Sequence, residues 1–180
     1  MTISIKHYSK YIVYVLAVLC LFFLILLNYK LYPLKYKDLI CKYADINKTD
    51  SSLIASIICV ESSYNEKAKS SKGAMGLMQI MPQTAQWICS KMGEGFSYDN
   101  LYNPEINIRI GTYYFGYLQK KFNNIDYAII AYNAGEGTVS DWIKKEIVSS
   151  NNFKNIPYKE TLEYYNRVKN AKKIYSNRIK

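Results

Sequence analysis

Residues 53–65 read Leu53-Ile54-Ala55-Ser56-Ile57-Ile58-Cys59-Val60-Glu61-Ser62-Ser63-Tyr64-Asn65, and the fold class turns on them. Leu53, Ile54, Ile57, Ile58 and Glu61 follow the i, i+3, i+4 spacing of an amphipathic helix. Thr49 or Asp50 offers a cap ahead of it, and Ser62 to Asn65 reads as its exit. Working outward, a Gly-bearing loop runs from Ser70 to Gly76. Pro82 suits the first turn of a helix reaching about Met92 and stopped by Gly93. Asn103-Pro104 opens another helix, to about Phe122. Asp126 is expected to cap a short apolar helix ending near Asn133-Ala134-Gly135. A further helix is expected from near Ser140 to Val148, then a polar stretch from Ser149 to Asn155. The last helix begins after Pro157 and ends near Tyr175. A short hairpin between Ala68 and Ile80 is the one strand-like candidate. The pattern predicts a mainly α domain.

Upstream, Tyr11 to Leu27 is seventeen residues without a charge, Gly, Pro or amide. A membrane-spanning helix needs roughly 17–25 predominantly apolar residues. No small-x-small cleavage pattern follows the run, so it reads as an uncleaved anchor. A cleaved signal peptide or a buried core helix is the alternative. Lys6, His7 and Lys10 precede the run, and Lys30, Lys35 and Lys37 follow it, so the flanking charge does not set the orientation. The expected organisation is a tail and transmembrane anchor over 1–29, a basic, Tyr-rich connector over 30–44, and a helical domain over 45–178.

The 180 residues carry a net charge of +10. Residues 1–29 hold Lys6 and Lys10 and no acid, so 22 bases face 14 acids beyond them. A basic surface suits an anionic wall polymer, a membrane face or nucleic acid. No nucleic-acid motif is present, and the lysines are dispersed, so no nucleic-acid partner is expected. No protein partner is indicated either. The sole histidine, His7, precedes the apolar run, which removes His-dependent triads and His metal centres from the domain. Cys20, Cys41, Cys59 and Cys89 show no CxxC spacing, so no metal is expected. No cofactor motif occurs, and Cys59 reads as a buried thiol.

Glu61 needs explaining, because it continues an apolar stripe and stands at a helix C-terminus. Apolar surroundings and the negative helix end both disfavour a carboxylate, so both raise its pKa. A carboxyl group still protonated near neutral pH is what general acid catalysis requires. The alternative is a Glu at the edge of an amphipathic face, reaching out to water.

The words around Glu61 carry more. Glu61-Ser62-Ser63-Tyr64-Asn65 is followed by Ser70-Ser71-Lys72-Gly73-Ala74-Met75-Gly76-Leu77-Met78-Gln79-Ile80-Met81-Pro82. Then come Ala131-Tyr132-Asn133-Ala134-Gly135 and Ile156-Pro157-Tyr158-Lys159-Glu160-Thr161-Leu162-Glu163-Tyr164. In this order and spacing, residues 45–175 resemble the catalytic domain of the soluble lytic transglycosylase family, goose-type-lysozyme relatives that cleave peptidoglycan.

The resemblance implies a lysozyme-like helical domain with a glycan cleft, in the membrane of a bacterium with the domain outside the cytoplasm. It puts Glu61 at the catalytic position. It puts Ser70, Gln79, Met81, Tyr132, Asn133 and Tyr164 against the glycan, with Tyr165 the competing choice for the last. Met78 reads as core filling. Peptidoglycan glycan strands are then the partner. No Asp or Glu stands in the motif segments beside Gln79, Tyr132 or Asn133, and Glu66 and Glu136 sit in adjoining loops. The implied reaction therefore uses one acid: Glu61 protonates the leaving oxygen, the MurNAc N-acetyl group assists, and a 1,6-anhydro ring closes. A hydrolytic muramidase using the same Glu61 is the alternative, as is a non-catalytic glycan-binding component of an envelope machine.

Overall fold

The computed structural model describes residues 5–149, 153 and 155–179, with side chains from residue 11 onward. The chain divides into two compact units, residues 1–33 and 34–180.

The first unit is one helix, α1 (Ile5–Leu31). Its stretch Tyr11–Leu31 is 21 residues long, with a mean hydropathy of 2.7, and none of it is buried in protein. At 1.5 Å per residue it measures about 31 Å, close to the hydrocarbon thickness of a bilayer.

The second unit is helical almost throughout: α2 (Lys37–Asn47), α3 (Ser51–Ser62), α4 (Pro82–Met92), a 3₁₀ turn (Tyr98–Tyr102), α5 (Pro104–Phe122), α6 (Ile125–Ala134), α7 (Glu136–Lys144) and α8 (Lys159–Tyr175). α3 forms its centre. Every residue from Ser52 to Cys59 is buried, so this stretch meets protein on all sides, as a core helix does. Burying a side chain such as Leu53, Ile54, Ile57 or Ile58 contributes roughly 1.5–3 kcal/mol each. α8 and α2 pack along α3, and α5 carries α2 and α6 on its flanks. The two buried serines of α3, Ser52 and Ser56, do not break it. Ser56 donates to the Ser52 carbonyl at 2.6 Å. Asp50 is the cap, its carboxylate accepting from the Ser52 amide at 2.8 Å.

Several boundaries differ from expectation. Residues 37–44, expected within a connector, belong to α2, where Ile40 and Ala44 are fully buried. Asn124, not Asp126, caps α6: its side-chain oxygen accepts from the amides of Asp126 and Tyr127. α7 begins at Glu136, four residues ahead of Ser140. The cause is Gly135, which ends α6 and starts α7 at φ +87°, a conformation open to glycine and strained for other residues. Most of the polar stretch expected over 149–155 lies outside the described residues. The candidate hairpin reduces to two isolated antiparallel bridges, Lys69 with Met75 and Met75 with Ile80.

Candidate active site

The segment between α3 and α4 folds into a compact bed by main-chain bonds. Met75 and Ile80 exchange both amide–carbonyl bonds, and the Gly76 amide donates to Ala68. One side chain of α5 fixes the whole bed. Asn107, fully buried, donates to the carbonyls of Met75 at 2.9 Å and Leu101 at 2.8 Å, and accepts from the Met78 amide at 2.7 Å. Gly76 sits at φ +75°, and a Cβ there would collide with the Leu101 carbonyl oxygen and the Asn107 amide.

Gln79 lies in the left-handed region at φ 47°, a conformation that needs support in a non-glycine residue. Its Nε2 supplies the support, donating to Gly76 O at 3.0 Å and Ala68 O at 3.2 Å. Both amide hydrogens are thereby committed, and Oε1 remains as its acceptor. Ser62, next to Glu61, donates to the Leu77 carbonyl at 2.8 Å and so ties the end of α3 to the bed. Tyr132 of α6 donates to the Met78 carbonyl at 2.9 Å and ties the opposite wall to it. Asn133 accepts from Thr161 of α8 at 2.7 Å.

A groove runs over this bed. One cavity of about 310 Å³ is lined by Glu61, Ser70, Lys72, Met81, Tyr132 and Glu160, among others. A second, of about 250 Å³, shares Gln79, Met81, Tyr132 and Asn133 with it and adds Thr84 and Tyr114. A third, of about 290 Å³, continues from Thr84 and Tyr114 to Trp87 and Glu136. A larger pocket, of about 500 Å³, lies at the other end of α3, around Asp45, Asp50 and Ser176. It holds neither Glu61 nor any residue of the groove.

Glu61 is half-buried in the last turn of α3. Its pKa is raised to about 7, chiefly by burial; Tyr164 and the Arg167 guanidinium oppose the shift, and the Glu160 carboxylate adds to it. Arg167 also donates to the Val60 carbonyl at 3.2 Å, partly satisfying the C-terminal end of α3. The Tyr164 hydroxyl is buried beside Glu61, but among the described residues it completes no hydrogen bond of good geometry. Burial first, and the nearby Glu61 charge second, hold the Tyr132 and Tyr164 phenols well above their usual range, so both stay neutral. Tyr165 points elsewhere, donating to Asp126 at 3.1 Å.

The groove thus brings together Glu61, Ser70, Gln79, Met81, Tyr132 and Asn133, with Tyr164 behind Glu61. Ser70 is itself engaged: its hydroxyl accepts from the Ala74 amide at 3.0 Å. Met81 is exposed on the groove, while Met75 and Met78 are buried beneath it.

Sequence reasoning missed Asn107, Thr161, Arg167 and Glu160. Asn107 left only a weak signal, a polar residue between Ile106 and Ile108, because Glu105 and Arg109 flank it on the same helix. Glu160 brings a second carboxylate to the cavity of Glu61. Neither Glu66 nor Glu136 lines that cavity: Glu66 accepts from the Tyr36 hydroxyl, and Glu136, in the third cavity of the groove, pairs with Lys121. Among the described residues, no cluster of three or more His, Cys, Asp or Glu is placed to hold a metal ion.

The family model described as "Transglycosylase SLT domain" matches residues 38–155. The chain belongs to the transglycosylase SLT domain family. It is 38% identical over 143 residues to the soluble lytic murein transglycosylase of Escherichia coli (strain K12), a match covering 76% of this chain and 22% of that protein. It is 46% identical over 94 residues to the membrane-bound lytic murein transglycosylase E of Buchnera aphidicola, covering 50% of this chain and 42% of that one. Among solved structures, an inactive mutant of the lytic transglycosylase Slt from Pseudomonas aeruginosa superposes with a TM-score of 0.76 at 33% identity, covering 82% of this chain and 25% of that one. The 70-kDa soluble lytic transglycosylase in complex with bulgecin A gives 0.77 at 36% identity, covering 81% and 25%. This SLT domain chain therefore spans about a fifth to a quarter of the length of the soluble relatives it matches.

Proposed function

We propose that this chain is a membrane-anchored peptidoglycan lytic transglycosylase. It cleaves the MurNAc-β-1,4-GlcNAc bond with Glu61 as the catalytic residue. The observation that carries this reading is a half-buried carboxyl group, its pKa raised to about 7, in a groove of adjoining cavities that share Gln79, Met81, Tyr132 and Asn133. At neutral pH such a group is present in both forms, so it serves as acid and then as base.

In the first step Glu61 donates its proton to the GlcNAc O4 as the C1–O4 bond breaks. The carbonyl oxygen of the MurNAc N-acetyl group closes on C1. In the second step the Glu61 carboxylate takes the proton from the MurNAc 6-hydroxyl. O6 attacks C1, the N-acetyl oxygen leaves, and the 1,6-anhydro ring is complete. Glu61 ends protonated, and no water is consumed. Asn133, held by Thr161, and the acceptor oxygen of Gln79 are suited to N-acetyl and hydroxyl groups of the glycan. Met81, Tyr132 and Tyr114 offer apolar faces to the sugar rings.

The anchor is α1. Tyr11 and Tyr14 near one end and Tyr29 and Tyr32 near the other suit the two interfaces of a bilayer. Several relatives are named membrane-bound, and peptidoglycan lies outside the cytoplasmic membrane. A single pass with residues 30–180 outside follows.

Glu160 favours a second reading, a hydrolytic muramidase in which two carboxylates share the cavity. Mass spectrometry of muropeptides released from purified peptidoglycan decides between them. Anhydro-MurNAc ends that persist in Glu160→Gln support the transglycosylase. Reducing MurNAc ends that vanish in that variant support hydrolysis.

A further inference from the structure

The cavity of Glu61 must hold the MurNAc ring whose C1 reacts. C3 of that ring is two bonds from C1, and it carries the lactyl ether that distinguishes MurNAc from GlcNAc. The branch therefore leaves the ring through the rim of the same cavity. It ends in a carboxylate, either the lactyl group's own or those of an attached peptide.

The walls it meets are mostly unsuited to an anion. Glu61, in the last turn of α3, and Glu160 line the cavity. Lys72 is the exception: among the described residues it is the one cation lining any of the three cavities of the groove. Its turn is held by three bonds, Ser70 amide to Ala74 carbonyl, Gly73 amide to Ser70 carbonyl and Ala74 amide to Ser70 hydroxyl. Its ammonium group reaches across to Glu160 on α8 at 3.9 Å, with both side chains largely exposed, at 80% and 77%. An ion pair this open and this long is weak and readily exchanged for another carboxylate.

Resting on the transglycosylase reading, we propose that Lys72 is a specificity-determining residue: it leaves Glu160 to bind a carboxylate on the MurNAc lactyl branch. Glu160 is the competing carboxylate for the same ammonium group. Lys72 acts on binding and touches neither proton transfer.

The test uses the full chain in neutral detergent and three sets of uncross-linked glycan strands. One set bears peptide stems. The second has been stripped by an amidase to expose lactyl carboxylates. The third is the second with those carboxylates converted to methylamides. On the acidic strands, Lys72→Gln should raise KM about five-fold, the upper end of what an exposed ion pair contributes, with kcat within two-fold. Lys72→Arg should restore KM, and Glu160→Gln should lower it by removing the competitor. On the methylamide strands, wild type and Lys72→Gln should agree, and high salt should erase the difference elsewhere. An effect confined to the first set assigns the peptide's carboxylates, and one confined to the second assigns the lactyl group. Equal KM values on both acidic sets would overturn the proposal, as would an equally large rise on the methylamide strands. A wild type that releases no product from any strand would overturn the transglycosylase reading itself.

Discussion

Glu61→Gln is expected to destroy activity and, above neutral pH, to stabilise the fold. Glu61 titrates at about 7 in the folded chain against an ordinary value of 4.5. The native state thus holds this proton more tightly than the unfolded chain does. The contribution of Glu61 to stability is full below pH 4.5, declines as pH rises towards 7, and stays low above that. The difference of about 2.5 units corresponds to about 3 kcal/mol at about 1.36 kcal/mol per unit. Gln keeps the shape and carries no charge, so it avoids that loss.

For a domain of this size, about 3 kcal/mol is about 6–12 °C in Tm. Thermal unfolding of wild type and variant in the same detergent should show near coincidence at pH 4 and the variant melting higher at pH 8.5. In parallel, the variant should lose at least about 10²-fold in rate. Wild-type activity should fall on the alkaline side with a midpoint near the pKa of about 7. Coincident melting at pH 8.5, or a Tm difference that does not change between the two pH values, would refute the burial-driven shift. Retention of more than about a tenth of the activity would place the acid elsewhere.

Two other substitutions test the surroundings. Tyr164→Phe removes a hydroxyl that completes no good hydrogen bond among the described residues, so stability in thermal unfolding should change by less than about 1 kcal/mol, and it should cost less activity than Glu61→Gln. Asn107→Ala strands the Leu101 carbonyl and the Met78 amide in the core, while the Met75 carbonyl keeps the Ile80 amide; at about 1–3 kcal/mol for each group left unsatisfied, urea unfolding should show a loss of about 2–6 kcal/mol, and a loss under about 1 kcal/mol would show that other contacts hold the bed.

Most helices were legible because their signals are local. Asp50, Pro82, Gly93, Asn103-Pro104 and Pro157 each mark an end through chemistry within one turn. The errors arose where two local signals competed. Asn124 and Asp126 are both good caps by residue type, and it is Asn124 that takes the two amides. The expected gap between Gly135 and Ser140 closes because one glycine suffices to turn α6 into α7. In the site, Glu61 stood out because a carboxylate on an apolar stripe is anomalous within its own helix. Of the groups around that carboxyl, Tyr164 was legible only through the motif resemblance, and Glu160 and Arg167 were not legible. All three lie about a hundred residues away, on a helix whose own pattern does not say which face meets α3. Asn107 likewise bonds to groups roughly thirty residues distant along the chain.

The Asn107 tether separates the shape of the groove floor from its surface chemistry. All three of its bonds go to main-chain atoms, and Gly76 leaves no side chain in the way. The bed therefore keeps its form whatever side chains stand at the rim positions 71, 72 and 74. Sequence change there alters which substituents on a glycan are welcomed without rebuilding the surface on which the sugar lies. For engineering, the rim is the place to vary substrate preference, and Asn107 and Gly76 are the two positions to leave alone.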